Sequence, residues 1–261
     1  MSSDTSGQPP IRLTIAYSTL ANRAAAIRLP VRREDQEILI IVQNPDRIEF
    51  PAAPMRSDVR VVELGSKGVA KSRNTAIEVA RGNYLVFADD DIEFNLENLD
   101  ELVDHLSGCT CSLVLGQAVD QSGTLRKSYP SRPQWLTRFN SAKAATYEML
   151  IDVSAIRANA IQFDEDFGAG AVNYLGDEYI FICDMLKQHL KAHFLPVTMA
   201  VHPTESSGSG WGTSADLQAR AKIFSRVFGP LAIVVRTLFI FRNRDKVNGA
   251  GNFIRFIFAR F

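Results

Sequence analysis

The sequence is poor in cysteine, carries no excess charge of either sign, and has no apolar run long enough to cross a bilayer. Its three cysteines, Cys109, Cys111 and Cys183 in 261 residues, are too few and too odd for a disulfide framework, and they suit a reducing compartment. Cys109-x-Cys111 has no second ligand pair nearby in the sequence. These thiols are therefore expected to act as small buried hydrophobes rather than as a zinc site. The formal net charge of zero gives no broad basic surface, so no nucleic-acid partner is expected. No uninterrupted apolar run reaches the about 20 residues of a membrane-spanning helix. Residues 1–10 are rich in Ser, Gly and Pro. They lack the basic-then-apolar pattern of a secretion signal and are expected to be disordered.

What is present is an alternation of short apolar runs and amphipathic stretches. Ile11 to Tyr17, Glu37 to Gln43, Asp58 to Leu64 and Tyr84 to Ala88 read as strands, and Ile38-Leu39-Ile40-Ile41-Val42 suits a strand covered on both faces. Lys67 to Arg81 and Asn95 to Leu106 read as helices, the first stopped by Gly82. Strand–helix alternation predicts an α/β fold, with ligands bound at the carboxyl ends of parallel strands. Further strands are expected at Leu113 to Gly116, Met149 to Val153 and His193 to Val201. Ser154 is expected to cap a short helix through Ala160, and Asp177 to Leu190 reads as an amphipathic helix.

The triplet Asp89-Asp90-Asp91 stands at the tip of the fourth strand. Three adjacent carboxylates repel one another unless a proton or cation offsets them. A hard divalent ion with oxygen ligands is a natural partner, and such an ion often clamps a phosphate-bearing substrate. An acidic turn, with Asp91 or Asn95 capping the next helix, is the other reading.

Gly68-Val69-Ala70-Lys71-Ser72-Arg73-Asn74, then Gly82-Asn83-Tyr84 through Asp91, resembles the family 2 glycosyltransferases of the GT-A fold, in which a G-x-x-x-x-R-N helix precedes a strand ending in Asp-x-Asp. Phe163-Asp164-Glu165-x-Phe167-Gly168 and Gly176-Asp177-Glu178-Tyr179-Ile180-Phe181 are similar to that family's F-D-E-x-F-G and G-E-D-x-x-F runs. The resemblance covers roughly Ile11 to Trp211. It implies a mixed, mainly parallel sheet flanked by helices over residues 11–212, followed by a helical segment at 213–261. The activity it implies is transfer of a sugar from a nucleotide-diphosphate sugar to a saccharide or lipid-linked acceptor in surface polysaccharide or glycoconjugate synthesis, with inversion and with Mg2+ or Mn2+.

By the same resemblance Asp91 would ligate the metal, with His202 as a further ligand, and Asp89 would reach the ribose beside Asp90. His202 as a strand-end residue with a local hydrogen bond is the alternative. Tyr17, Ser18 and Gln43 stand at strand tips where the family binds the base. Many relatives carry an acid after the second strand; here Gln43-Asn44 stands instead. Arg73 is permanently charged and matches phosphate oxygens, so it either contacts the donor or holds the acidic turn. Asn74 reads as a local hydrogen-bonding residue. A carboxylate must take the acceptor hydroxyl's proton. The family's Glu-Asp order is reversed here, so Glu178 is the first choice and Asp177 the second. Trp211, in a Ser/Gly-rich loop, would serve a lid over the donor or sit in a plain linker.

Pro230 to Phe241 and Phe253 to Phe261 are apolar with interspersed arginine. They suit helices lying on a membrane, which would put a cytoplasmic enzyme on the inner face, or helices packed on the domain or in a homodimer interface. A catalytically inactive, nucleotide-binding scaffold at a membrane is the competing function.

Overall fold

The computed structural model describes residues 9–50, 56–203, 213–244 and 250–259. The expectations for residues 1–8 and for Trp211 lie outside the described residues. Four parallel strands, β1 (Leu13–Leu20), β2 (Gln36–Gln43), β3 (Val59–Leu64) and β4 (Tyr84–Asp89), stand in the order β3-β2-β1-β4. All eight residues of β2 are buried, as its unbroken apolar run requires. Helix α1 (Val69–Val79) buries Ala70, Ala76 and Ile77 and leads towards β4. It stops at Val79, short of the expected Arg81, and Gly82 has a different task. A Cβ on Gly82 would lie 2.6 Å from the Thr14 backbone nitrogen, so only glycine lets the entry to β4 pass this close to β1.

The second half adds β5 (Glu93–Phe94), α2 (Leu96–Gly108), β6 (Leu113–Val119), β7 (Gln134–Trp135), β8 (Met149–Asp152), α3 (Val153–Ala158), α4 (Asp177–Lys187) and β9 (Ala192–Val201). The sheet continues β4-β8-β6-β9-β5, with β7 also on β9. β8 runs antiparallel to both β4 and β6, while β6 and β9 are parallel. Asn95 caps α2 by accepting from the Asn98 N–H at 3.1 Å. Asp152, rather than Ser154, caps α3, accepting from the Ala155 N–H at 3.0 Å while the Ser154 hydroxyl supports it at 2.7 Å.

Alternation along β4 divides the core. Leu85 and Phe87 join Ile77, Ile156, Phe181 and Met185 on the face covered by α1, α3 and α4. Val86 and Ala88 join Leu99, Leu102 and Val103 of α2 on the other. Phe163 stacks on Phe181 with centroids 4.4 Å apart and meets Phe87 edge-on at 5.3 Å. This aromatic trio roots the loop after residue 163 beneath the sheet's carboxyl end.

Helix α5 (Ser214–Phe228) packs Ile223, Val227 and Phe228 against Tyr179, Ile180 and Cys183 of α4. A 3-10 turn (Gly229–Leu231) joins it to α6 (Ala232–Arg242), and α7 (Ala250–Phe258) folds back so that Phe256 and Ile240 meet Leu217 and Ala221. The run Ser214–Arg242 is, by length and composition, apolar enough for a membrane span. Its α5 part, however, carries Asp216, Arg220, Lys222 and Arg226 and packs on the α/β domain through α4.

Candidate active site

The carboxyl ends of β1, β2 and β4 open into a cleft of about 400 Å3. Ser18, Thr19, Gln43, Asp89, Asp90 and Asp91 line it, with Lys67 and Arg73 around α1, Ala169 and Gly170 opposite, and His202 at the end of β9. Strand β1 runs three residues past Tyr17, so the tip is Ser18 to Leu20. Tyr17 itself is 1% exposed and packed in the core with α2, where burial raises its pKa. It faces the core rather than the cleft, because a strand's residues alternate between faces.

One guanidinium organises the site. Arg73 is 5% exposed, and its Nη1 donates to Asp177 Oδ2. Nη1 also lies 3.9 Å from Glu178 Oε1, and Nη2 lies 3.6 Å from Asp89 Oδ1. The triplet and the acidic pair, 88 positions apart from Asp89 to Asp177 in sequence (177 minus 89), therefore share one buried cation. Burial works against the charge on Arg73, but Asp177, Asp89 and Glu178 outweigh it and raise its pKa. Burial, then the charge of Glu178, raises the pKa of Asp177, with Arg73 opposing. Desolvation also raises Asp89; Arg73 counters this, and Asp91, Glu178 and Asp90 add to it.

The neighbours of Arg73 hold the two halves in register. Asn74 donates to the Phe163 carbonyl at 2.9 Å and accepts from the Phe163 N–H at 2.7 Å. The Val69 N–H donates to Ala169 O at 3.1 Å. Gln43 Oε1 accepts from the Gly68 N–H at 2.7 Å, and Ser72 donates to Ser18 at 2.8 Å. Gly168, at φ +95, sits so close that an added Cβ would be 2.7 Å from the Asp177 carboxyl carbon. Asp177 is thus boxed in by Gly168 and Arg73, whereas Glu178 is 22% exposed and accepts from Thr146 Oγ1 at 2.8 Å.

Within the triplet the roles separate. Asp90 accepts from Thr19 at 2.8 Å and pairs with Arg23. Burial raises its pKa while Thr19 and Arg23 lower it. Asp91 is exposed to the cleft. His202 is 7% exposed and stacks obliquely on Tyr147 at 4.9 Å. Its Nδ1 is 2.6 Å from the Pro203 carbonyl, which can only accept. Nδ1 is therefore the donor in this contact, which leaves Nε2 as the nitrogen that could face a metal.

The profile of glycosyl transferase family 2 matches residues 16–167, more than half of the chain. The chain belongs to this family. It is a glycosyltransferase, and its sheet order and flanking helices are those of the GT-A fold. Among solved structures, S. aureus TarS 1-349 in complex with UDP-GlcNAc is similar at 13% identity, with a TM-score of 0.59 over 92% of this chain and 74% of that one. TarS 1-349 in complex with UDP gives a TM-score of 0.57 at 13% identity, over 90% and 72%. No curated protein sequence matches the chain.

The sequence reading of this glycosyltransferase overlooked Arg23 and Lys67. Arg23 sits in a 3-10 turn (Ala21–Ala26) straight after β1 and reaches Asp90. Lys67 immediately precedes Gly68 at the start of α1. Both follow directly from strand tips, which was the available signal. The cysteines also differ from expectation: Cys109 is half-buried and is paired with Cys111 as a disulfide, while Cys183 is a free thiol buried between α4 and α5.

Proposed function

We propose that the protein transfers a sugar from a nucleotide-diphosphate sugar, with UDP as the nucleotide, to a hydroxyl of a saccharide or lipid-linked acceptor, inverting the anomeric centre. The convergence of Asp89, Asp177 and Glu178 on Arg73 carries this reading, because it supports donor and acceptor chemistry in one cleft. The TarS complexes with UDP-GlcNAc and UDP support the choice of nucleotide.

Ser18, Gln43 and Asp89 border the place of the nucleoside, and Lys67 offers a cation to the diphosphate. Asp90, held by Thr19 and Arg23, shapes that wall. Arg73 positions the carboxylates rather than reaching phosphate, since its own charge is already surrounded by them. Glu178 takes the acceptor proton: it is partly exposed, and Thr146 fixes one of its oxygens. Asp177 is second choice because its pairing with Arg73 occupies it. Trp211, from its Ser/Gly-rich stretch, would cover the donor sugar. The oxygen donor of Asp91 with the imidazole of His202 fits Mg2+ or Mn2+, and such an ion, when bound, supplies positive charge to a departing diphosphate.

Helices α6 and α7 support a peripheral seat on the inner membrane face. Ile233, Val234, Leu238, Phe241, Ile254 and Phe258 are exposed there, beside Arg242 and Arg255.

Thermal melting with nucleoside diphosphates and Mn2+, followed by turnover of UDP-sugars, tests the reading. UDP with Mn2+ should raise the midpoint of the wild type, and chelator or Asp91→Ala should abolish the rise. Glu178→Gln should keep the rise and lose turnover by a factor on the order of 10^2 or more. Melting unaffected by any nucleoside diphosphate, or full turnover in Glu178→Gln, would overturn it.

A further inference from the structure

At the opposite end of the sheet from the cleft stands a second group of ligand-bearing side chains. His105 lies in the last turn of α2, one turn before Cys109, so the two share a helix face. Cys111 follows just before β6. One ring nitrogen of His105, Cys109 Sγ and Cys111 Sγ all lie within 4.8 Å of one another. The fold then supplies what the sequence lacked. β9 pairs with β6 at its amino end, Val114 opposite His193, and this sets His193 Nδ1 3.0 Å from His105 Nε2. Trp135 of β7 stacks on the His193 ring at 4.5 Å and fixes its plane. The Cys111 N–H donates to Cys109 Sγ at 3.2 Å, the kind of bond that steadies a sulfur ligand.

We propose that His105, Cys109, Cys111 and His193 form a tetrahedral zinc site that is open when the cysteine pair is reduced. Two sulfurs and two imidazoles are the donor set that prefers Zn2+ over Mg2+ or Mn2+. The cleft, built on carboxylates, selects the harder ions. His202 and His193 stand nine positions apart on β9 and its end, roughly 30 Å at 3.3 Å per residue, so the two sites are separate. The structure holds Cys109 and Cys111 as a disulfide. An external dithiol breaks that S–S bond, leaving two cysteine thiols and becoming a cyclic disulfide itself. Zn2+ then displaces one proton from each thiol and binds both sulfurs, clamping the end of α2 to the β6–β9 edge.

Co2+ as a spectroscopic stand-in for Zn2+ tests this independently of the glycosyltransferase reading. Reduced full-length protein should give a thiolate-to-cobalt charge-transfer band in the near ultraviolet and strong tetrahedral bands in the visible, all erased by Zn2+. Asp91→Ala should leave these bands intact, because carboxylate ligands do not produce them. Cys109→Ser with Cys111→Ser should abolish them, and His105→Ala should weaken Co2+ affinity by about tenfold or more. Oxidised wild type should show none, which provides the thiol-free reference if the serine variant fails to fold. Zn2+ should raise the melting midpoint of the reduced protein only. Absence of the charge-transfer band in reduced wild type would overturn the site. So would a band that survives the double serine substitution, or Co2+ affinity unchanged in His105→Ala.

Discussion

At the cleft, carboxylates from both halves of the chain converge on one buried guanidinium; on α6 and α7, apolar side chains face outward with arginines between them. The first region gains its geometry from charges that cannot separate without stranding one another. The second has surface to spare for something outside the chain. Under the proposed membrane seat, stability and association fall to different parts, and substitutions should affect one without the other.

Arg73→Ala should break the contrast most severely. It would leave Asp177 buried and unpaired, a loss of about 3–5 kcal/mol for a broken internal ion pair, read by denaturant unfolding. Arg73→Lys should recover only part, because an ammonium cannot span Asp89 and Asp177 together as a planar fork does. Next comes Asn74→Ala, which removes both hydrogen bonds to the Phe163 main chain. An expected cost of about 1–3 kcal/mol should come with a larger loss of turnover than of nucleotide binding, since the loop it holds leads to Gly168, which walls Asp177.

A smaller effect is expected at Arg226, which pairs with Asp164 at 2.8 Å and Asp184 at 2.6 Å. Burial pushes the Asp184 pKa up, but Arg226 and Lys187 outweigh it, so the folded value lies below the ordinary one. A depressed carboxylate stabilises the fold above its unfolded pKa, and that contribution fades as pH falls through the folded pKa. Because both partners are partly exposed, it should be no more than about 1 kcal/mol. Arg226→Gln should therefore be less stable than wild type at neutral pH, and the two should converge below about pH 4, near the unfolded aspartate pKa. Parallel stability curves across that range would remove Asp184 from the account. The smallest change in stability, within about 0.5 kcal/mol, is expected for Leu238→Asp with Phe241→Asp. That variant should nonetheless stop sedimenting with anionic vesicles, while wild type sediments with anionic but not with neutral ones.

The parts legible in the sequence were those built from local pattern. Apolar runs located β1, β2, β4 and β9, and helical spacing located α1, α2 and α4. The triplet's place at a strand tip followed from Tyr84 to Ala88 alone. Features set by sheet pairing were harder to read. Nothing in Met149 to Asp152 says that β8 will slip antiparallel between β4 and β6. The true end of β1 was missed because polar Ser18 and Thr19 extend the strand beyond its apolar run. Asn74 was read correctly as a hydrogen-bonding residue, but its partner, 89 positions away, was not visible. Zinc at Cys109 and Cys111 was argued against because no second ligand pair lies nearby in sequence, and His193 arrives only through the β6–β9 pairing.

The grip of Asn74 on the Phe163 backbone bears on attempts to retarget the enzyme. It holds main chain rather than side chain, so it is indifferent to which residues follow in the loop. Glu165 could be exchanged for other residues with register preserved by this clasp, provided Phe163 keeps its place among Phe87 and Phe181. The glycine beside Asp177 would have to stay, because any larger residue there would strike the carboxylate that Arg73 depends on.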